Sequence, residues 1–445
     1  MNRKVLGILV GGGPAPGINA VIGAATIEAI NRGFEVYGLF DGFKWLTSSN
    51  FNASVHAMRL TIADVARIHF DGGSMLRIAR NNVLDEASVK SGAGVKPDIQ
   101  KVRQVIENLR SLGVDHLLTI GGDDTALSAR FVSEGAGGNI RIVHVPKTID
   151  NDLPLPADVP TFGFSTAVYE GTRLVKNLML DSQTTGRWYL VTAMGRQSGW
   201  LAMWMGMSAG ATVTLIPEEF DDHSKVCHIV DVIEGAILKR KAMGRSDGVA
   251  IIAEGLAYKL GDRAELERIL GKSVPVDAAG HPRLADVPIG DLLRSEIESR
   301  FKQRGQSITL VTHESGYELR SADPTPFDMS YCRSLGYYAI RLFLSDNPRH
   351  RSGVMVSLVN GNLNPMHFSD MIDPVTNRTR VRRVDVRSDQ YRVARAYMIR
   401  LERSDLDNEE TLARIAAEAK MTPAEFRARY ERAATRIVDG FPESA

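Results

Sequence analysis

Three short stretches of this chain carry residues that could do chemistry. The first is Thr119-Ile-Gly-Gly-Asp-Asp-Thr-Ala126. It follows the apolar run Val114 to Ile120, short enough for a buried strand, and precedes Leu127 to Val132, which can open a helix. Two glycines let a phosphate approach the backbone, and a helix N-terminus offers unpaired N–H groups and the positive end of a dipole. Carboxylates there repel a phosphate unless a divalent cation lies between them, so Asp123 argues for Mg²⁺. The same residues also read as a plain helix cap formed by Asp123, Asp124 and Thr125.

The second stretch is Val145-Pro-Lys-Thr-Ile-Asp-Asn-Asp152, at the end of another strand. Ligands of α/β proteins bind at the carboxyl ends of strands. Transfer of a phosphoryl group to a sugar hydroxyl needs a base near that hydroxyl and a cation near the moving group. Asp150 and Lys147 could supply the two, and an ordinary polar turn is the alternative. The third stretch, Gly11-Gly-Gly-Pro-Ala-Pro-Gly-Ile-Asn19, follows the first strand and opens a helix at Ala20. It suits a phosphate cradle but lacks the Gly-Lys-Ser/Thr ending of a P-loop. Read as a dinucleotide fingerprint it fails at Pro16, where the third glycine belongs. A simple strand-to-helix turn stays open here. Ala193-Met-Gly-Arg196, Pro217-Glu-Glu219, Gly316-Tyr-Glu-Leu-Arg320 and Gly72 to Arg80 each end a strand or turn on a polar or cationic group. Arginine suits a phosphate monoester because its fork binds two oxygens at once.

The elements that must position these groups follow from apolar runs of strand type alternating with helix-period segments, which favours an α/β architecture with parallel sheets. The strands are expected at Val5 to Val10, Glu35 to Phe40, His116 to Ile120, Ile140 to Val145, Trp188 to Ala193, Ala211 to Ile216, Gly248 to Ala253 and Ser307 to Val311. The clearest helix runs from Asp98 to Gly113, with Val102, Ile106 and Leu109 on its apolar face. From about Asp385 the chain becomes rich in Arg, Glu and Ala. Asn408 to Ala434 reads as two helices, the second opened by the capping box Thr422-Pro-Ala-Glu425. That tail reads as a packing or oligomer appendage, with basic nucleic-acid binding as an alternative that the acids interspersed throughout oppose.

The 445 residues, 44% apolar and 24% charged, fit two or three soluble domains. A net charge of +1 gives no electrostatic reason to bind nucleic acid or an anionic membrane. Cys227 and Cys332 are too few for a disulfide framework or a zinc site, which fits a reducing compartment. No secretory signal is visible before Val5. Gln197 to Pro217 carries no charge, but glycines interrupt it, and a buried helix followed by a buried strand is expected rather than a membrane span.

Taken together and in this order, these motifs resemble the phosphofructokinase family, in its pyrophosphate-dependent branch, from Val5 to about Leu344. The resemblance implies two Rossmann-like domains with mainly parallel sheets, an active site in the cleft between them and a helical C-terminal extension. It implies a larger donor and Mg²⁺ domain over 1–161 and 319–370, a sugar-phosphate domain over 162–318, and the extension over 371–445. It further implies cytoplasmic phosphorylation of fructose 6-phosphate at its C1 hydroxyl. Gly12 and Gly13 of the first loop would bind the donor. Asp123 would hold the metal, and Asp150 would be the general base, with Thr148 and Asp152 lining the same site. Met194, Gly195, Arg196 and Glu218 would hold the sugar phosphate. Arg80 would contact the moving phosphate, and Tyr317 and Arg320 would lie at the sugar site, Arg320 on the 6-phosphate. Arg187 would reach a neighbouring subunit's sugar site, so that a homodimer or homotetramer is expected.

Two positions bear on the donor. Members that use ATP usually carry glycine where this chain has Asp124 and Lys147. Asp124 adds a carboxylate where a nucleotide's α-phosphate must lie, and like charges about 4 Å apart cost roughly 1 to 4 kcal/mol. Lys147 adds a cation that can neutralise pyrophosphate and its leaving group. Pyrophosphate is therefore the expected donor, with a readily reversible reaction; ATP is the nearest alternative. Rivals from other classes are a silent sugar-phosphate sensor, which the presence of Asp123 and Asp150 opposes, and a nicotinamide dehydrogenase, which Pro16 opposes. Among departures from the family pattern, Pro14 replaces a common aspartate. Val311 stands where ATP-users have a second cross-subunit arginine.

Overall fold

The computed structural model describes residues 4–91, 94–156, 159–274, 287–351 and 353–434. Its contacts divide the chain into two compact units, residues 1–167 with 317–382 and residues 168–316 with 383–445.

The first unit is built on a seven-stranded sheet. From edge to edge it runs Met366–His367, Val354–Met355, Arg141–Pro146, His116–Gly121, Lys4–Val10, Phe34–Leu39 and Ala57–Arg59. The five central strands pair in parallel, and the two edge strands are antiparallel. Leu6, Ile8, Leu9 and Val10 are fully buried, as are Leu117, Leu118 and Ile120. Runs buried on both faces are what a parallel sheet covered by helices demands. The helix Ile99–Ser111 starts where the sequence places it. Asp98 caps it by accepting from Gln100 N at 3.0 Å and Lys101 N at 3.1 Å, and Val102, Val105, Ile106 and Leu109 face the core.

The second unit carries a four-stranded, all-parallel sheet in the order Val213–Leu215, Gly248–Ala253, Trp188–Ala193, Leu310–Ser315. Its last strand lies three to four residues beyond the expected Ser307 to Val311. Register explains the difference: Trp188 pairs with Leu310 and Ala193 with Ser315, so backbone pairing carries the strand through the polar Thr312, His313 and Glu314. The uncharged segment after Gln197 forms the helix Trp200–Ala209, with Leu201, Ala202, Met203 and Met205 buried, and then the strand Val213–Leu215. Among the described residues no helix is long and apolar enough to cross a membrane.

The helical C-terminal stretch contains Glu409–Glu418 and Pro423–Ala434, the latter opened by the reciprocal Thr422–Glu425 capping bonds. Both helices pack on Val226–Ala242, and Leu401, Leu406, Leu412, Ile415, Phe426 and Tyr430 belong to the same buried cluster as Trp188, Leu190, Ile233 and Ile252.

Candidate active site

In the first unit, three adjacent strands deliver three loops to one edge. Ile120 pairs with Val10 and with Val145, so the chain leaves the sheet at Gly11, Gly122 and Lys147 almost in step. Gly11 N donates to Ile120 O at 2.9 Å, and Lys147 N donates to Gly121 O at 2.8 Å, which ties the loops together. Thr125 packs on both glycine turns. A Cβ at Gly11 would lie 2.5 Å from its Oγ1, and one at Gly121 would lie 2.4 Å from its Cβ, so neither site admits a side chain.

The helix Asp123–Ala136 is capped by the backbone of Gly122 with no side-chain cap bond. Asp123 and Asp124 are therefore first-turn residues and not the cap, Asp123 half-buried and Asp124 exposed. Beneath this turn lies a residue that the sequence reading missed. His144 is wholly buried, its Nδ1 2.8 Å from Thr119 Oγ1 and its Nε2 3.1 Å from Gly121 O. A carbonyl can only accept, so Nε2 carries the proton and Nδ1 accepts from the Thr119 hydroxyl. Burial pushes the imidazole down to about 3, against the Gly121 hydrogen bond and with help from the Lys147 charge.

Lys147 is buried, and its Nζ donates to Gly13 O of the first glycine loop. A Cβ at Gly12 would lie 3.6 Å from the same ammonium. Arg320 joins this loop: its NH1 would lie 2.9 Å from a Cβ at Gly13, its plane covers the Tyr317 ring at 4.6 Å, and its Nε is buried without a hydrogen-bond partner. Thus Lys147, Arg320, Gly12 and Gly13 converge within one unit. Arg80 is exposed on the segment whose Ala79 O accepts from Gly12 N at 3.1 Å.

The loop after Lys147 is a polar turn held from several sides. Asp150 N donates to Thr148 Oγ1 at 3.0 Å, and Thr161 N donates to Asn151 Oδ1 at 3.0 Å. Asn151 sits at φ 56°, in the left-handed region. Asp150 and Asp152 on either side are half-buried.

In the second unit, Ala193 pairs with Ala253 and with Ser315, which brings Met194, Glu254 and Gly316 one step beyond the same sheet edge. Met194 N donates to Ser315 O at 3.1 Å. Gly195 has φ 154° and Arg196 φ 51°, and this turn is fixed by Glu254 Oε1, which accepts from Gly195 N at 3.2 Å and Arg196 N at 2.7 Å. Glu254 was also missed. The signal was its place directly after a buried strand, where ligand groups of α/β proteins gather. Glu218 Oε1 accepts from Gly199 N at 3.0 Å and Val384 N at 2.9 Å, while its Oε2 is buried with no hydrogen-bond partner. Burial raises this carboxyl, opposed by those N–H groups and by the Arg383 charge. Arg187 lies half-buried at the start of the strand Trp188–Ala193, at the opposite edge from Met194.

Among the described residues no three His, Cys, Asp or Glu side chains form a group that could hold a metal ion by themselves. Asp123 beside a glycine turn and a helix N-terminus fits instead an ion of the Mg²⁺ type, which takes one or two carboxylates and completes its shell with phosphate oxygens and water.

The phosphofructokinase family profile matches residues 5–343. A pyrophosphate–fructose 6-phosphate 1-phosphotransferase of Thermotoga maritima is 52% identical over 425 residues, 96% of this chain and 97% of that protein. The protein of the same name from Naegleria fowleri is 44% identical over 433 residues, 96% and 94% of the two chains. In fold, the T-state phosphofructokinase of Pichia pastoris matches with a TM-score of 0.62 at 20% identity, over 97% of this chain and 39% of that one.

Proposed function

The chain belongs to the phosphofructokinase family, and on that premise we propose that it transfers a phosphoryl group reversibly from pyrophosphate to the C1 hydroxyl of D-fructose 6-phosphate. The observation that carries the choice of donor is the buried Lys147 ammonium against Gly12 and Gly13. A compact diphosphate cradled by the glycine backbone would lie beside that ammonium, which can neutralise its charge and that of the leaving group. Asp124, exposed in the first helical turn, opposes the further phosphate of a nucleotide.

In this reading Asp150 takes the proton of the C1 hydroxyl, with Thr148 and Asp152 beside it. Lys147 and Arg80 stabilise the moving phosphoryl, and Gly12 and Gly13 seat the diphosphate. Asp123 would hold Mg²⁺ together with diphosphate oxygens; the bound ion supplies charge neutralisation. The sugar phosphate falls to Met194, Gly195, Arg196 and Glu254 of the second unit, to Glu218 through its unpartnered Oε2, and to Tyr317 and Arg320. Arg187 serves a neighbouring subunit in a homodimer or homotetramer, and the enzyme works in the cytoplasm. The first unit is thus the donor and metal domain, and the second the sugar-phosphate domain.

The deciding experiment compares turnover with pyrophosphate and with ATP at equal Mg²⁺. Faster turnover with pyrophosphate is expected, and faster turnover with ATP overturns the donor assignment.

A further inference from the structure

Arg382 lies outside every motif that the sequence singled out, in the stretch beyond residue 370 that has no reading as chemistry. Yet within the first unit it makes a set of bonds to one loop. Its Nε donates to Asn151 O at 3.0 Å, its NH2 to Asn151 Oδ1, and its NH1 to Val159 O at 2.7 Å. Its backbone N–H donates to Asp152 O at 2.7 Å. The same Asn151 Oδ1 accepts from Thr161 N, and Thr161 Oγ1 donates to Thr148 O at 2.8 Å, so the ring of bonds closes around Thr148 to Asp152.

Asn151 is the residue that needs this support. A side chain at φ 56° occupies a sparsely populated region, and such a conformation persists only where the surroundings fix it. Arginine can do so because its planar fork addresses a carbonyl and an amide oxygen together, which a lysine ammonium on a flexible stem does not. Asn151 directly follows Asp150, so the direction of the Asp150 carboxylate depends on the turn that Arg382 holds.

We propose that Arg382 is a positioning residue for Asp150, acting through the left-handed turn at Asn151. The inference rests on the reading of Asp150 as the general base. In this role Arg382 holds the turn and so keeps the base in register, and small misplacements of a base are expensive in rate.

The test is a double-mutant cycle in the full-length protein, pairing Arg382→Ala with Asp150→Asn and following kcat with pyrophosphate and fructose 6-phosphate. If Arg382 acts through Asp150, its removal lowers kcat about 10- to 100-fold in the natural background, with both KM values changed less than about threefold. Where Asp150 is already asparagine, the same removal costs less than about threefold. An equal loss in both backgrounds marks a merely structural role and overturns the proposal, as does no loss in the natural background. Arg382→Lys keeps the charge without the fork and repeats the cycle should the alanine protein fail to fold; the same non-additivity at smaller amplitude is expected. Asp150→Asn alone reads the base assignment. A loss of less than about tenfold there removes that reading, because general base catalysis is typically worth about 10² to 10⁴. A full loss with an additive Arg382 effect removes only the positioning.

Discussion

Lys147 and Asp124 stand out at the scale of single residues because their environments differ so sharply. Lys147 is 4% exposed with its ammonium on Gly13 O, whereas Asp124 is exposed on the first turn of Asp123–Ala136. Their proposed roles differ accordingly: Lys147 meets the diphosphate directly, and Asp124 limits what else can enter. A charge-assisted hydrogen bond is worth about 1.5 to 3 kcal/mol, or roughly 10- to 150-fold in rate. Asp124→Gly should weaken pyrophosphate use by less than loss of the Lys147 ammonium does. The pair Asp124→Gly with Lys147→Gly should lose about 10-fold or more in kcat/KM for pyrophosphate at fixed Mg²⁺. Unchanged pyrophosphate kinetics in the double variant would show that this corner does not receive the donor.

At the scale of elements, the strand Arg141–Pro146 supports the glycine turn through His144, and this support depends on a neutral imidazole. The sign follows from the shift. The folded group titrates at about 3, below its ordinary value of 6.5, so the unfolded chain takes up the proton first as pH falls. The stabilisation is complete above about pH 6.5 and is lost toward pH 3, at about 1.4 kcal/mol per pH unit. Denaturant unfolding at pH 7 and pH 5 should show this loss, and His144→Asn should make the dependence shallower; an equal slope in both proteins excludes the mechanism. Elements of this kind were largely legible in the sequence, since seven of the eight expected strands lie within about two residues of their expected bounds, the eighth being displaced to Leu310–Ser315, and buried runs such as His116–Gly121 declare themselves. The short strands Ala57–Arg59, Val354–Met355 and Met366–His367 were not, because two or three residues are too few to show a period. The glycine loops were legible as candidate parts of the site because they adjoin strands. His144 and Arg382 were not, since their partners lie 23 and 231 residues away and sequence spacing carries no trace of such pairings, while Glu254 left only its place after a strand and not its partners 58 to 59 residues away.

At the scale of the whole chain, each unit is assembled from segments far apart in sequence, the first needing residues 317–382 and the second residues 383–445. The tail is therefore part of a core. Leu412, Ile415 and Phe426 are nearly or fully buried in the cluster that includes Trp188 and Ile252 of the central sheet. Burying three such side chains contributes about 5 to 9 kcal/mol as an upper estimate, and a typical domain is stable by only about 5 to 15 kcal/mol. Buried ion pairs bind the tail further: Arg400 NH1 lies 2.7 Å from Glu219 Oε2, both almost fully enclosed, and removing one partner of such a pair leaves a costly unpaired charge. A chain ending at Asn408 keeps Arg382 and Arg400 but loses the two last helices. It should expose the face of Val226–Ala242 that they cover and fail to hold the second unit folded. Limited proteolysis with mass spectrometry would then find cleavage across residues 168–316 while the first unit, which contains none of the deleted residues, resists. Uniform resistance together with an unchanged melting temperature would show the tail to be an appendage after all.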